Sequence, residues 1–243
     1  MVEKVLKGSP KYYLWLLFLL AIIGYAFIVY VFQVCYGLEQ TGLTRSTSWG
    51  FYIAQFTYLV GVAAAAVMLV LPATFHHYHP YHRVIVFAEF LAIGAVLMCM
   101  LFIVVDLGQP ARVFNVMLHP MPNSVMFWDA TVLCGYLILN ALIGWTSLEH
   151  ESRHVPVPRW VKILVVVSIF WAFSIHTVTA FLYAGLPGRH YWLSAIMAAR
   201  FLASAFCAGP SILLLGLLLV KRFAGFDPGK AVVKSLSITI AYA

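Results

Sequence analysis

The chain alternates long apolar runs with short polar segments. Crossing about 30 Å of hydrocarbon takes about 20 helical residues, and six of the runs reach that length. They lie near Tyr12–Tyr36, Trp49–Pro72, Val84–Val105, Ser124–Thr146, Val161–Ala184 and Leu193–Val220. A seventh run begins near Ala231 and is cut off at Ala243, inside a predicted helix. The pattern predicts an all-α, polytopic transmembrane helix bundle, with residues 1–243 as a single transmembrane domain that is incomplete at its C-terminal end.

Composition agrees with this prediction, because 63% of the residues are hydrophobic and 9% are charged. Unbroken apolar runs exclude an outer-membrane barrel, which needs short alternating segments. The net charge of +7 is not a nucleic-acid signal, because the basic residues flank the spans instead of forming one patch. The apolar runs imply that lipid surrounds the bundle.

The basic residues are distributed unevenly between the two sides of the predicted bundle. One side carries Lys4, Lys7, Lys11, Arg83, Arg153, Arg159, Lys162, Lys221, Arg222, Lys230 and Lys234. The other side carries Arg45, Arg112 and Arg189. Since basic loops stay on the cytoplasmic side, the N-terminus is predicted to be cytoplasmic. The loops at Gly37–Ser48, Leu107–Asn123 and Gly185–Trp192 would then face outward.

Four ionisable residues lie inside these runs or at their ends: Asp106, Asp129, His176 and Arg200. A charge inside a membrane costs several kcal/mol unless it is paired or hydrated. By helical rise, all four lie in the outer third to half of the bilayer, on four different helices. We therefore expect Asp106, Asp129 and His176 to surround one polar pocket, with Arg200 close enough to pair with a carboxylate. The structural alternatives are a helix–helix hydrogen bond at His176, a loop cap at Asp106 and a neutral buried pair of Arg200 with Asp129.

Glu89 belongs to the other half of the bilayer, near the cytoplasmic end of the third run. An unpaired carboxylate at that depth must be neutral, hydrated or paired. One interpretation places Glu89 on a proton path from the cytoplasm toward the outer pocket, with Asn140 as an intermediate. A hydrogen bond to a neighbouring helix is an equally good interpretation.

Two stretches carry a resemblance to a known family. The first is Val105-Asp106-Leu107-Gly108-Gln109-Pro110-Ala111-Arg112, followed by Met126-Phe127-Trp128-Asp129. The second runs from Ser174-Ile175-His176-Thr177 through Gly185-Leu186-Pro187-Gly188-Arg189 to Arg200-Phe201-Leu202-Ala203-Ser204-Ala205. Along nearly its whole length the chain resembles the integral membrane subunits of the polysulfide-reductase/NrfD family, which have a four-helix-bundle core. Within that family it is most similar to the branch of the Dsr- and Hmc-type transmembrane redox complexes.

The resemblance implies a subunit that binds menaquinone or ubiquinone near the periplasmic face of a bacterial or archaeal cytoplasmic membrane. It also implies a chain with no haem, iron–sulfur cluster or metal of its own, and the four cysteines agree because none forms a CxxC pair. A periplasmic ferredoxin-like iron–sulfur subunit would dock on the outward loops at Leu107–Pro122 and Gly185–Trp192. A multihaem cytochrome c and further membrane subunits would complete the complex.

Quinol chemistry fits the residue types of the expected pocket. Oxidation of a quinol releases two protons with two electrons, so the site needs an acceptor for a hydroxyl proton. Histidine has an ordinary pKa of about 6.5, and burial raises the pKa of a carboxylic acid toward that range. His176, Asp129 and Asp106 are therefore the candidate catalytic groups. The further candidates around the quinone ring are Arg200, Tyr36, Phe127, Trp128 and Tyr183.

Other functions compete with this interpretation. A non-redox ion or proton transporter usually places its charges on broken helices at the midplane in paired repeats, and the sequence indicates neither. A cytochrome b needs paired intramembrane histidines, whereas only His176 lies deep. The loop His76-His77-Tyr78-His79-Pro80-Tyr81-His82 lacks acidic and cysteine ligands, so a solvated turn is favoured over a metal site. A pure anchor for an extrinsic redox subunit stays open, although it leaves the outer polar residues unexplained.

Overall fold

The computed structural model describes residues 8–44, 46–75, 80–81, 84–153, 155–186 and 188–243, and in these ranges it contains helices and no strand. The α-helices of the described ranges are α1 (Pro10–Tyr36), α2 (Phe51–Ala63), α3 (Ala65–Phe75), α4 (Ile85–Asp106), α5 (Asn115–Leu118), α6 (Val125–Arg153), α7 (Arg159–Ala184), α8 (Met197–Ala224) and α9 (Lys230–Tyr242). Short 3-10 turns occupy Leu38–Thr41 and Pro110–Arg112. Counting α2 and α3 together, six helical segments of the described residues are long and apolar enough to span a membrane. The predicted all-α, membrane-spanning bundle is confirmed.

Part of the sequence argument concerns positions outside the described residues. These are Lys4, Lys7, Arg45, His76, His77, Tyr78, His79, His82, Arg83 and Pro187. The cytoplasmic position of the N-terminus and the solvated turn at the histidine loop therefore stay predictions.

We call the end of the bundle at which α1 begins the N-terminal end. The opposite end, at which α4 finishes, is the far end.

The core of the bundle lies between α2, α3, α4, α6, α7 and α8. Its fully buried side chains include Phe56, Val60, Leu133, Tyr136 and Ile175. In contrast, α1 runs along the outside, and its one buried residue is Gln33. Since most of the other side chains of α1 are apolar and exposed, the outer face of that helix suits the hydrocarbon of a membrane.

The second span is broken near its middle, where a single continuous helix over Trp49–Pro72 was predicted. The N–H of Ala64 donates to the Gly61 carbonyl at 3.2 Å, whereas in a regular helix it would donate to the Val60 carbonyl. Helix α8 packs directly on the break, because a Cβ added to Gly209 would lie 3.0 Å from the Ala65 nitrogen. The expectation that no span is broken is therefore wrong.

Two helix ends also differ from the hydropathy pattern. Helix α6 continues from Thr146 to Arg153, because polar residues extend a helix beyond the membrane and Arg153 pairs with Glu149 at 2.7 Å. Helix α8 begins at Met197, whereas Leu193 was predicted as the start of that span. The residues before it form turns, including the bond from the Trp192 N–H to the Arg189 carbonyl. Arg200 consequently lies in the first turn of α8, at the rim of the bundle.

Candidate functional site

Asp106 lines a cavity of about 280 Å³ at the far end of the bundle. It is the last residue of α4, and its Oδ1 atom is buried without a hydrogen-bond partner. The other lining residues come from α1, the Leu38–Thr41 turn, the connection that follows it and the start of α2: Val29, Gln33, Gln40, Thr41, Leu43, Gly50, Phe51 and Tyr52. A carboxylate at a cavity wall is a hydrogen-bond acceptor available to a bound molecule.

Gln33 organises the wall of this cavity. Its Nε2 donates to the Val105 carbonyl at 2.6 Å, and its Oε1 accepts from the Tyr52 hydroxyl at 2.8 Å. These bonds join α1 to the ends of α4 and α2. The sequence argument missed both residues, although Gln33 was detectable as an amide within an otherwise apolar run.

Asp129 is buried deeper in the bundle, in the second turn of α6. The Thr179 hydroxyl on α7 donates to its Oδ1 at 2.6 Å. The Cys99 thiol on α4 lies within electrostatic range of the same carboxylate. A buried carboxylate held by one hydroxyl keeps free acceptor capacity, so this pair can receive a further donor.

Tyr183 lies near the end of α7, surrounded by aromatic rings. The centroids of Trp192, Trp49 and Phe201 are 4.9, 5.0 and 5.4 Å from its own. Its hydroxyl group is hydrogen-bonded to the Thr57 hydroxyl. Both Asp129 and Asp106 lie within electrostatic range of this phenol.

His176 lies two turns below the end of α7 and is 2% exposed. Its Nδ1 is 2.6 Å from the Ala172 carbonyl, and its Nε2 has no hydrogen-bond partner. The ring borders a narrow apolar crevice of about 10 Å³ between α3, α7 and α8. Asp106, Asp129 and His176 thus lie in three different surroundings, and the described structure does not place them around one cavity.

Three predicted site residues lie away from these surroundings. Arg200 is exposed, and its guanidinium stacks on the Tyr191 ring at 5.5 Å, whereas Asp129 is bonded to Thr179. The predicted ion pair of Arg200 with Asp129 is therefore not formed. Trp128 is 47% exposed and donates to the Pro122 carbonyl, and Tyr36 is 66% exposed at the end of α1. Neither aromatic ring lines the far-end cavity.

A second cavity, of about 590 Å³, opens at the N-terminal end. Glu89 lies at its wall, 2% exposed, with Oε2 lacking a hydrogen-bond partner. Ser147, Glu151 and Lys162 also line this cavity, whose remaining walls are apolar. Asn140 lies farther along α6, is buried, and donates to the Tyr136 carbonyl at 2.8 Å. The two cavities therefore sit at opposite ends of the bundle, each with one unpartnered carboxylate oxygen.

Comparison with known proteins places this geometry in a family. The family model described as polysulphide reductase, NrfD, matches residues 39–243. The chain belongs to this family. The resemblance predicted from Asp106, Asp129 and His176 and their neighbours is confirmed, and the family together with the six spanning helices identifies an integral, multi-pass membrane protein.

Three relatives are subunits of reductase or oxidoreductase complexes by their descriptions. The putative membrane subunit of a dimethyl sulfoxide reductase from Halobacterium salinarum is 28% identical over 92% of this chain and 55% of its own length. A selenate reductase subunit from Mesobacillus selenatarsenatis is 24% identical over 84% of this chain and 55% of its own. An Hdr-like menaquinol oxidoreductase integral membrane subunit from Archaeoglobus fulgidus is 21% identical over 98% of this chain and 58% of its own. The chain thus spans little more than half the length of these relatives.

Proposed function

We propose that this chain is the quinone-binding membrane subunit of a redox complex. It exchanges electrons between a menaquinone or ubiquinone pool and a periplasmic ferredoxin-like iron–sulfur subunit, in a bacterial or archaeal cytoplasmic membrane. The observation that carries this proposal is the Asp106 carboxylate at the wall of the far-end cavity, whose Oδ1 is buried without a hydrogen-bond partner. Membership of the NrfD family and the menaquinol oxidoreductase relative support it.

The far-end cavity has suitable groups for a quinol ring. Its volume of about 280 Å³ accommodates a ring with the isoprenoid tail left outside, and Phe51 and Tyr52 supply aromatic walls. One quinol hydroxyl donates to the Asp106 carboxylate, which takes that proton when the ring is oxidised. The second proton leaves to water at the far end of the bundle, and both electrons pass to the iron–sulfur partner.

The partner docks on the far end, where Leu107–Pro122 and Gly185–Trp192 connect the helices. Electrons leave through a neighbouring subunit, since the sequence carries no CxxC pair for an iron–sulfur cluster or a c-type haem. Asp106 immediately precedes the first of these connections. A cluster held there approaches the cavity directly, and a multihaem cytochrome c would accept electrons further on.

Photoaffinity labelling of the membrane-embedded chain tests the quinone site. A short-tailed quinone carrying a photoreactive group on its ring is expected to label the residues of the far-end cavity, such as Gln33 and Tyr52. Excess unlabelled quinone should suppress this labelling. Competed labelling confined to the N-terminal-end cavity around Ser147 would overturn the assignment.

Glu89 is proposed to admit protons from the N-terminal end when the redox reaction is coupled to proton movement. Glu89→Gln keeps the shape and hydrogen-bonding ability of the side chain but cannot carry a proton. Quinol-dependent electron transfer should persist, while linked proton uptake in proteoliposomes falls about 100-fold, the scale of removing a positioned acid–base group. Glu149→Gln, on the α6 surface at the same end, is the control. If electron transfer and proton uptake are both unchanged in Glu89→Gln, the residue serves only to hold helices together.

The broken second span favours one alternative, a proton or ion transporter without redox chemistry. Discontinuous helices are typical of such proteins. Passive or driven ion flux through liposomes that contain the chain but no quinol distinguishes the two functions. Flux without quinol, blocked by Glu89→Gln, would favour the transporter.

A further inference from the structure

The cavity at the N-terminal end has the size and the lining of a small-molecule site. Its volume of about 590 Å³ falls within the range of about 300–1,000 Å³ that is usual for such sites. It lies in the mouth of the bundle, where α3 and α6 end and α4 and α7 begin. Most of its wall is apolar and includes the buried side chains of Val70, Ala73 and Val161. The cavity therefore suits a ligand with an apolar body.

The polar side chains of this cavity gather along one face of α6. Ser147 and Glu151 are four residues apart on that helix, so they lie on the same face, which Gly144 continues toward the interior. Glu89 packs on this face from α4. A Cβ added to Gly144 would lie 3.5 Å from the Glu89 Cβ and 3.7 Å from its Oε2. Two carboxylates and a hydroxyl group therefore lie on the α6 side of the cavity.

The charge of these side chains is not balanced within the described residues. Glu89 is 2% exposed, and its Oε2 has no hydrogen-bond partner. No ion pair between described residues includes Glu89, Glu151 or Lys162. Lys162 lines the same cavity but is exposed, so two carboxylates stand against one ammonium group at the rim. Since an unpaired carboxylate inside a membrane protein is costly, the ligand that this wall lacks is a cation.

The shape and chemistry of the cavity indicate the kind of cation. A bare metal ion makes no use of apolar walls, and the described residues contain no cluster of acidic, histidine and cysteine side chains suited to a metal. A primary ammonium group has three N–H donors, and the side chains of Glu89, Ser147 and Glu151 all offer oxygen acceptors. The apolar body attached to that ammonium group would pack against the valine side chains of the wall.

We propose that the N-terminal-end cavity binds a primary ammonium group carried on an apolar body, supplied by a free amine or by the head group of an aminophospholipid. The ammonium group pairs with the carboxylates of Glu89 and Glu151, and a lipid phosphate would also pair with Lys162. This site is distinct from the quinone site at the far end. Because an ammonium group and a proton compete for the Glu89 carboxylate, a bound amine would hold back the proton uptake proposed for that residue.

Carbon nuclear magnetic resonance of the chain in phosphatidylcholine nanodiscs tests this site. A ¹³C label on glutamate carboxyl groups reports on five residues, and the variants Glu89→Gln and Glu151→Gln identify the two signals of interest. At constant pH, added hexylamine should shift both signals to a saturating value. The signal of Glu39, at the far end, should stay unchanged. Hexanol has the same apolar body without the charge and should shift neither signal.

A lipid arm of the same experiment identifies the source of the ammonium group. Phosphatidylethanolamine has N–H donors where phosphatidylcholine has methyl groups, so the two lipids are matched in other respects. Shifts of Glu89 and Glu151 when phosphatidylethanolamine replaces part of the phosphatidylcholine would assign the site to a lipid head group. Shifts with hexylamine alone would assign it to a free amine. No shift in either arm, or equal shifts with hexanol or sodium ions, would overturn the proposal.

Glu151→Gln should weaken hexylamine binding, followed at the Glu89 signal, by about three- to tenfold. This is less than the loss of a fully buried ionic hydrogen bond, because Glu151 is exposed. Glu149→Gln is the control, since Glu149 pairs with Arg153 and does not line the cavity. Equal affinities of the two variants would contradict a role of Glu151 in the site. These measurements use no quinol, so photoaffinity labelling decides the quinone site separately.

Discussion

Replacing Asp106 with asparagine is expected to lower quinol-dependent electron transfer by about 100-fold or more, the scale of losing a positioned general base. The amide has the same shape, but it cannot take up the hydroxyl proton that the carboxylate at the cavity wall is placed to receive. Quinone binding to the far-end cavity should change far less than turnover, because Gln33, Phe51 and Tyr52 remain in place. Stopped-flow oxidation of quinol by the intact complex measures the rate.

Glu39→Gln is the matched control for this experiment. Glu39 is an exposed carboxylate on the Leu38–Thr41 turn at the same end of the bundle, and it does not line the cavity. Its replacement should leave electron transfer within about twofold, since an exposed charge makes little difference to a buried site. Asp106→Asn with turnover close to that of Glu39→Gln would contradict the assigned role of Asp106.

Gly209→Ala is expected to destabilise the bundle by about 1–3 kcal/mol, because the added methyl group overpacks a backbone contact. Its Cβ would lie 3.0 Å from the Ala65 nitrogen and 3.3 Å from the Gly61 oxygen, and backbone atoms cannot turn aside as a side chain can. Thermal unfolding in detergent, followed by the loss of tryptophan burial, measures the change. The midpoint temperature should fall clearly below that of the parent chain.

Gly216→Ala on the same helix is the control, since nothing lies within 4 Å of its added Cβ. Alanine has the higher helix propensity, so this change should be neutral or slightly stabilising. Equal midpoint temperatures for the two variants would show that α8 does not press on the break in the second span.

The spans themselves were predictable because hydropathy reports directly on what a membrane accepts. The break at Ala64 was not, since Gly61 to Ala66 is compatible with either a regular or a broken helix and the contact with Gly209 decides between them. Arg200 was placed too deep for a related reason. Leu193 and Ile196 continue an apolar run in sequence but lie before the helix begins, and hydropathy does not separate helix from other backbone conformations.

The candidate site was predictable for charged residues and much less so for neutral polar ones. A buried carboxylate or histidine in an apolar run stands out because its cost is high, so Asp129 and His176 were identified. Gln33 and Thr179 carry a lower cost when buried, and their importance comes from partners on other helices. Aromatic residues gave the weakest signal, since Trp128 and Tyr183 lie at similar depth but differ greatly in burial.

The peripheral position of α1 determines how a lipid-soluble ligand would meet the far-end cavity. One wall of that cavity is a single helix whose other faces are exposed, held to the bundle at Gln33. A molecule with a long apolar tail therefore arrives by lateral diffusion within the bilayer, and its tail remains among the lipid chains. Half-saturation of the site should therefore occur at a fixed mole fraction of the ligand in the lipid, and not at a fixed aqueous concentration. Doubling the lipid at fixed protein and ligand should then weaken apparent binding about twofold, as simple partitioning requires.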